Sequence, residues 1–380
     1  MTRGFDHLRT ISERAIEEGV TPAVGLVVGQ GGKNLYLAAL GHAALVPETL
    51  PVALDYVWDL ASLTKPLVTS LLAMQAVAEG RLGLGQTLSV GPPGDERQVT
   101  LRQLLSHSAG FEAHAPLYLE AGGGAKGGSP TLAGRQAVVK AARDGRAAYS
   151  PGTRSIYSDL GFIVLGDWLE TVFGARLDRL AQERIFSPLG LAGLFFVPLW
   201  SDDSGSQASP AVPVERFVAT QHCPVRERVL RGEVDDLNAY ALGGVSGHAG
   251  LFGTLEAVAV LAHALMAAVH GPPASFGGPK AIDPAVLRTF WSPAGVPGST
   301  WRLGWDGPAA VRSLAGDRIS RRAVGHLAFT GCSLWIDPQR ETFVLILTNR
   351  IHLGPPTDPR FAAFRRELGD AALAAIDYVV

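Results

Sequence analysis

The sequence is poor in cysteine: Cys223 and Cys332 are the only two in 380 residues, and they stand far apart. No C-x-x-C pair and no zinc-type Cys/His spacing occurs, so neither a structural metal nor a disulfide framework is expected. Charge is also scarce. Charged residues make up 18% of the chain, with 33 Lys and Arg against 35 Asp and Glu, for a net charge of −2. Such a balance leaves no electrostatic footprint for nucleic acid or an anionic membrane. Long apolar runs are missing, because the richest stretches carry charges or turn residues and none reaches the roughly 18 residues of a membrane span. The first ten residues, Met1 to Thr10, lack the apolar core of a secretory leader. The expectation is a soluble, cytoplasmic protein, or an exported one if a leader has been trimmed away.

What is present points to a packed fold. Hydrophobic residues reach 47%, which excludes a disordered chain. The length is enough to bury a sizeable core in one large or two medium domains. The 45 glycines and 25 prolines demand many turns, more than a plain helix bundle uses. Leu8, Ile11, Ala15 and Ile16 share a helical face, and Gly19 stops that helix. Two apolar runs, Ala23 to Val28 and Leu35 to Leu40, flank Gly29-Gln-Gly-Gly-Lys33 and read as a hairpin. Gly29-Gln-Gly31 is not a dinucleotide loop, since the third glycine is absent and a strand follows. A helical pattern occupies about Leu60 to Glu79. More follow at Leu101–Leu105, Leu132–Ala142, Leu160–Val172, Leu177–Ile185 and Leu255–Val269. The glycine-rich stretch Gly122 to Pro130 between them reads as a mobile surface loop and does not match a phosphate-binding loop. Strand-like runs return at Phe329–Ile336 and Thr342–Thr348, joined by Asp337-Pro-Gln-Arg-Glu341, and a last helix spans about Pro359 to Ile376. Strands at both ends around a helical middle predict one antiparallel sheet built from both termini.

Three groups of residues carry chemistry. In Ser62-Leu-Thr-Lys65 the hydroxyl and the amine share one helix face, which makes an activated nucleophile if the amine can shed its proton. The plain alternative is a helix cap followed by a surface lysine. Tyr157-Ser-Asp159 sits where a turn enters a helix, so the phenol could relay a proton into a cleft. The plain alternative is a Ser/Asp cap beside a half-buried tyrosine. Gly325-His326-Leu-Ala-Phe-Thr-Gly331 lies at the start of a predicted strand, where edge N–H groups can act as an oxyanion hole.

In this order and spacing the three groups resemble the motif set of the penicillin-interacting serine enzymes. The branch resembled comprises class C β-lactamases, D-alanyl-D-alanine peptidases and esterases of the same fold. Ser62-x-x-Lys65 resembles the first motif and Tyr157-Ser-Asp159 the second. His326-Leu-Ala328 falls where K-T-G or H-x-G stands in relatives. The surroundings are similar too: Trp58 to Pro66 around the serine, Val99 to Gly110 ahead of the site, Gly247 to Thr254 as a cleft wall, and Gly331–Pro338 with Leu347–Arg350 as the last strands. The likeness spans about residues 5 to 375. It implies an α+β fold of the β-lactamase/transpeptidase type. An antiparallel sheet flanked by helices would come from residues 1–57 and 290–380, a mainly helical domain from 58–289, and the active site would lie in the cleft between them. No G-x-S-x-G elbow supports an α/β-hydrolase instead.

The resemblance also implies roles. Ser62 would form the acyl-enzyme, with Lys65 and Tyr157 sharing its proton. The N–H groups of Ser62 and Phe329 would bind the oxyanion. Asp159 and His326 would support the site, and His248, Leu327, Ala328 and Arg350 would touch substrate. No cofactor or metal is required. Three departures matter. Asp159 replaces the usual Asn and would favour a protonated Lys65, unless it serves only as a helix cap. His326 replaces Lys, and its charge would come and go near neutral pH. Leu327 and Ala328 replace Thr and Gly, so the usual hold on a substrate carboxylate is missing unless Arg350 or Arg360 supplies one. The expected partner is a small-molecule ester or an amide without an adjacent carboxylate. The alternative functions are those of a D-alanyl-D-alanine carboxypeptidase, a muropeptide amidase acting on cell-wall-derived peptides, or a β-lactamase. A non-catalytic binding module of the same fold is the reading from another class. The oligomeric state is open.

Overall fold

The computed structural model describes residues 3–126, 130–199, 212–271, 282–354 and 357–377. Helix α1 (Arg3–Glu17) leads into β1 (Ala23–Gln30), β2 (Lys33–Ala44), β3 (Leu50–Pro51) and the short β4 (Val57–Asp59). The middle of the chain holds α2 (Ser70–Ala78), the hairpin β5 (Thr87–Val90) and β6 (Arg97–Thr100), α3 (Leu101–Leu105), α4 (Leu132–Arg143), α5 (Asp159–Phe173) and α6 (Leu177–Ala181). Next come β7 (Leu194–Phe196), β8 (His222–Cys223), β9 (Arg228–Val229), α7 (Leu237–Ala241), β10 (Leu251–Thr254), α8 (Leu255–His270) and α9 (Pro284–Phe290). The chain then returns through β11 (Val324–Leu327), β12 (Ser333–Asp337), β13 (Thr342–Thr348) and α10 (Arg360–Asp377).

The two ends of the chain do form one antiparallel sheet, of six strands in the order β11-β12-β13-β1-β2-β3. Its turns follow from local chemistry. Gly31 and Gly32 both have positive φ, +54° and +79°, the conformation that a two-residue hairpin with the native twist requires. Central strands are apolar on both sides because both faces are covered. Val24, Leu26, Val28, Val344 and Ile346 face α1 and α10, while Val27, Phe343, Leu345 and Leu347 join the core on the other side. That second core runs without interruption from the sheet through α2, α5 and α8. Helix α8, within the 58–289 segment, packs directly on β1 and β13. A second sheet, β4-β10-β7, joins the serine segment to the start of α8.

Two sequence expectations need correction. The helix at Leu60–Glu79 is not continuous: a 3-10 turn (Ala61–Leu63) passes to a π-turn (Lys65–Thr69) and only then to α2. Pro66 lacks the N–H that a regular helix would use there. The strand expected from Phe329 begins only at Ser333, because Ala328 to Gly331 form a turn closed by Gly331 N–H on Ala328 O at 3.0 Å. The Gly122–Pro130 stretch, expected to be mobile, lies partly outside the described residues; Leu117–Lys126, before and within it, is 3-10 helical with a break at Gly122, where φ is +69°. Cys223 and Cys332 are both buried, free thiols.

Candidate active site

The serine turn is shaped by what precedes it. Strand β4 ends at Asp59, and Ala61 takes a left-handed φ of +44° that non-glycine residues rarely adopt. Thr64 closes the turn, its hydroxyl donating to Ala61 O at 2.6 Å and accepting from Leu251 N–H at 3.0 Å. Ser62 thereby lines the cleft, and Lys65 points inward to full burial.

Lys65 Nζ has three partners: Ser62 Oγ at 3.0 Å, Asp159 Oδ1 at 2.8 Å and the His248 carbonyl at 2.9 Å. Three acceptors match the three protons of an ammonium. Burial pulls its pKa down, but Asp159 and the Tyr157 oxygen pull harder, and the balance lies above the ordinary lysine value. Asp159 is held well below the usual carboxylate range: burial opposes this, while Lys65 and the hydrogen bond from His114 more than offset it. The Tyr157 phenol donates to Ser62 Oγ at 2.8 Å. Burial raises its pKa above the ordinary phenol value despite the adjacent Lys65, so the resting phenol is neutral.

Asp159 is not the helix cap. Ser158 caps α5 through its hydroxyl, leaving the Asp159 carboxylate free to face Lys65. On its other oxygen Asp159 meets His114 Nδ1 at 3.4 Å, and that bond raises the His114 pKa. Tyr157 is fixed by rings. Trp301 stacks on it with centroids 5.5 Å apart, and His107 and His326 lie at 4.8 and 5.7 Å. His107 also accepts Ser158 N–H on Nδ1, and its carbonyl accepts from Ile156 N–H. His107, His114 and Trp301 were not found from sequence. His107 lies in the Val99–Gly110 segment already singled out, but nothing local announces that the other two reach the site.

The remaining expected residues divide. Leu327, Ala328, Phe329 and Arg350 line the same cleft of about 500 Å³ as Ser62, Tyr157 and Asp159. His248 does not line it. Its ring is buried between Ser246 Oγ at 2.7 Å and Asp236 Oδ1 at 2.8 Å, and what it offers the site is its carbonyl on Lys65. Gly247 lets this segment lie against the backbone of α5, since a Cβ there would stand 2.2 Å from Phe162 O. His326 is buried, with Nδ1–H donating to Leu327 O at 2.7 Å. Burial and nearby Lys65 drive its pKa down to about 3, so it stays neutral around pH 7, contrary to the expected switching. Arg360 is exposed, bound to Asp358 and absent from the cleft wall. Among the described residues no group of three or more His, Cys, Asp or Glu is placed to hold a metal.

A serine whose oxygen meets a buried lysine and a tyrosine beside a cleft, on this sheet-and-helix scaffold, defines a serine hydrolase that works through an acyl-enzyme. The profile of the beta-lactamase family matches residues 9–366, and the chain belongs to that family. A protein of Escherichia coli K12 named "Putative D-alanyl-D-alanine carboxypeptidase" is 28% identical over 380 residues, covering 94% of this chain and 85% of that one. Among solved structures, EstCE1, "a hydrolase with promiscuous acyltransferase activity", superposes with a TM-score of 0.72 at 20% identity, over 96% of this chain and 98% of the other. An octameric penicillin-binding protein homologue from Pyrococcus abyssi gives 0.69 at 18% identity, over 98% and 77%. At such identities the structural likenesses speak for the fold alone. Among the described residues no helix is long and apolar enough to cross a membrane.

Proposed function

We propose that the chain hydrolyses a small, weakly polar ester or amide, with Ser62 as nucleophile. The observation that carries this is the position of Ser62 Oγ, 3.0 Å from Lys65 Nζ and 2.8 Å from the Tyr157 hydroxyl at the inner end of the cleft. With Lys65 held as an ammonium by Asp159 and the resting phenol neutral, the pair must first release one proton to solvent; the Tyr157 phenolate so formed, stabilised by the neighbouring ammonium, is the base. Ser62 attacks the carbonyl while its proton passes to the Tyr157 phenolate of the once-deprotonated pair. The N–H groups of Ser62 and Phe329 receive the developing oxyanion. In the 328–331 turn the N–H groups of Ala328 and Gly331 are already spent on Cys332 O and Ala328 O, and Phe329 sits at the apex. The pair returns the proton to the leaving group, and water then attacks the ester with Tyr157 as base.

The substrate follows from the walls. Leu314, Leu327, Ala328, Phe329, Pro359 and Ala362 give them an apolar part, beside the charged Arg350, Asp358 and Arg365, and the neutral, buried His326 adds no charge. A second reading, a peptide ending in a carboxylate, is favoured by Arg350, which lines the cleft and has no carboxylate partner among the described residues. Cytoplasmic residence fits either substrate, as an enzyme of small metabolites or of recycled fragments.

The test is covalent labelling with a fluorophosphonate followed by mapping of the adduct. The label is expected on Ser62 and is expected to vanish in a folded Ser62→Ala protein. A non-catalytic binding module would take no label, and a label that survives the substitution would place the nucleophile elsewhere.

A further inference from the structure

Three residues before Ser62, the carboxyl of Asp59 is buried with no cation beside it among the described residues, and the residue is 3% exposed. Oδ1 accepts the N–H of Ala61 at 2.8 Å, and Oδ2 accepts the N–H of Asp235 at 2.8 Å. Burial and the neighbouring Asp235 carboxyl push its pKa up to about 7, against the pull of those two donors. A carboxyl in such a place costs the fold stability, and packing alone gives no reason for it.

What it touches supplies a reason. Ala61 is the left-handed residue immediately before the serine, and a side chain makes that conformation unfavourable. The Asp59 carboxyl answers the N–H that this kink turns inward. The backbone carbonyl of Asp59 accepts the Thr330 hydroxyl at 3.1 Å, in the turn that carries Phe329. Through Asp235 it holds the segment in which Asp236 fixes the His248 ring, and the His248 carbonyl in turn grips Lys65. One residue thus joins the serine turn, the oxyanion turn and the lysine clamp.

We infer that Asp59 is a positioning residue for acylation, holding the Ala61 kink so that Ser62 meets Lys65 and Tyr157. The inference rests on Ser62 being the nucleophile. The full-length chain serves for the test, with the rate of fluorophosphonate labelling and kcat and KM for p-nitrophenyl acetate as readouts. Asn at position 59 keeps the shape but turns an N–H toward one of the two donors. Asp59→Asn is expected to slow labelling about a hundredfold, the scale of an ångström of misplacement, with KM within about twofold. Glycine adopts positive φ freely, so adding Ala61→Gly should return about tenfold of the loss. A purely structural role would not be relieved by that second change. Wild-type labelling rates in a folded Asp59→Asn protein would overturn the inference, as would a loss that Ala61→Gly leaves untouched. If Asp59→Asn does not fold, the double variant decides: labelling at Ser62 supports the kink, and renewed failure to fold assigns Asp59 to the core and ends the proposal. Because the adduct is mapped in wild type and Ser62→Ala alongside, an error about the nucleophile would show there first.

Discussion

At the inner end of the cleft, Ser62, Lys65, Tyr157 and Asp159 satisfy one another's polar atoms, and Lys65 is fully enclosed. At the mouth, Leu327, Ala328 and Phe329 present apolar surface, Phe329 is 50% exposed, and Arg350 reaches the cleft without an ion-pair partner among the described residues. The inner end is over-determined. Each group has its protonation set by the others, so removing one disturbs all. The mouth is less constrained: Arg350 is tied to the wall through Phe329 O and the Phe361 ring, with no ion pair among the described residues. On the function proposed above, chemistry belongs to the first region and choice of substrate to the second. Substitutions at the two ends should therefore differ in kind as well as in size.

The largest effect is expected inside. Lys65→Ala and Tyr157→Phe should each lower kcat by roughly 10²–10⁴, the usual worth of positioned proton transfer. The double variant should be no more than a few-fold worse than the poorer single one, because groups acting as a unit are lost together. Steady-state rates with a p-nitrophenyl ester measure this, and losses that multiply would mean the two residues work separately.

Asp159→Asn offers a sharper probe of the same region. Asp159 raises the Lys65 pKa, whereas burial alone would lower it. Without the carboxylate the ammonium loses its support, and the amine becomes a base in its own right. The limb on which labelling rises with pH should move toward lower pH. Below that limb each unit of movement is worth about tenfold in rate, so labelling near pH 6 should quicken relative to wild type. An unmoved limb would show that the Lys65–Asp159 pair does not control the proton.

How much of this was legible in the sequence also differs between the two regions. Ser62 and Lys65 are three residues apart, so local geometry brings them together, and the resemblance joined Tyr157, already a candidate from its place at a turn-to-helix junction, to the same site. The amphipathic segments at 101–105, 132–142 and 255–269 became helices within a residue or so, because their faces pack against a core that their periodicity anticipates. Burial was not legible. His326 looked like a pH switch because its ordinary pKa lies near neutrality, but enclosure beside Lys65 decides otherwise. His248 looked like a cleft residue, but only its carbonyl serves the site. Trp301 reaches Tyr157 across a long stretch of chain, and no short motif encodes such a contact. Asp59 was visible as a letter next to the serine motif, but its two backbone partners come from the turn itself and from residue 235.

The smallest effect is expected at the mouth and separates the two substrate readings. Arg350 donates from Nε to Phe329 O at 3.2 Å and lies over the Phe361 ring at 4.5 Å. Burial lowers its pKa from the ordinary arginine value, as befits a cation whose desolvation no nearby carboxylate answers. Neutral p-nitrophenyl butyrate does not need that charge, so Arg350→Ala should change its kcat/KM by less than about twofold. A chromogenic cephalosporin or a peptide ending in a carboxylate would lose one charge-assisted contact, roughly ten- to a hundredfold. In wild type the ester should be the better substrate, since the third motif offers neither a lysine nor a threonine. Restoring the hydroxyl with Leu327→Thr should narrow the gap, because position 327 lines the cleft. Restoring the lysine at 326 should not, because it would bury a second cation close to Lys65, whose charge already depresses His326. A cephalosporin rate that exceeds the ester rate in wild type and collapses in Arg350→Ala would assign the mouth to carboxylate recognition and make the second reading the function.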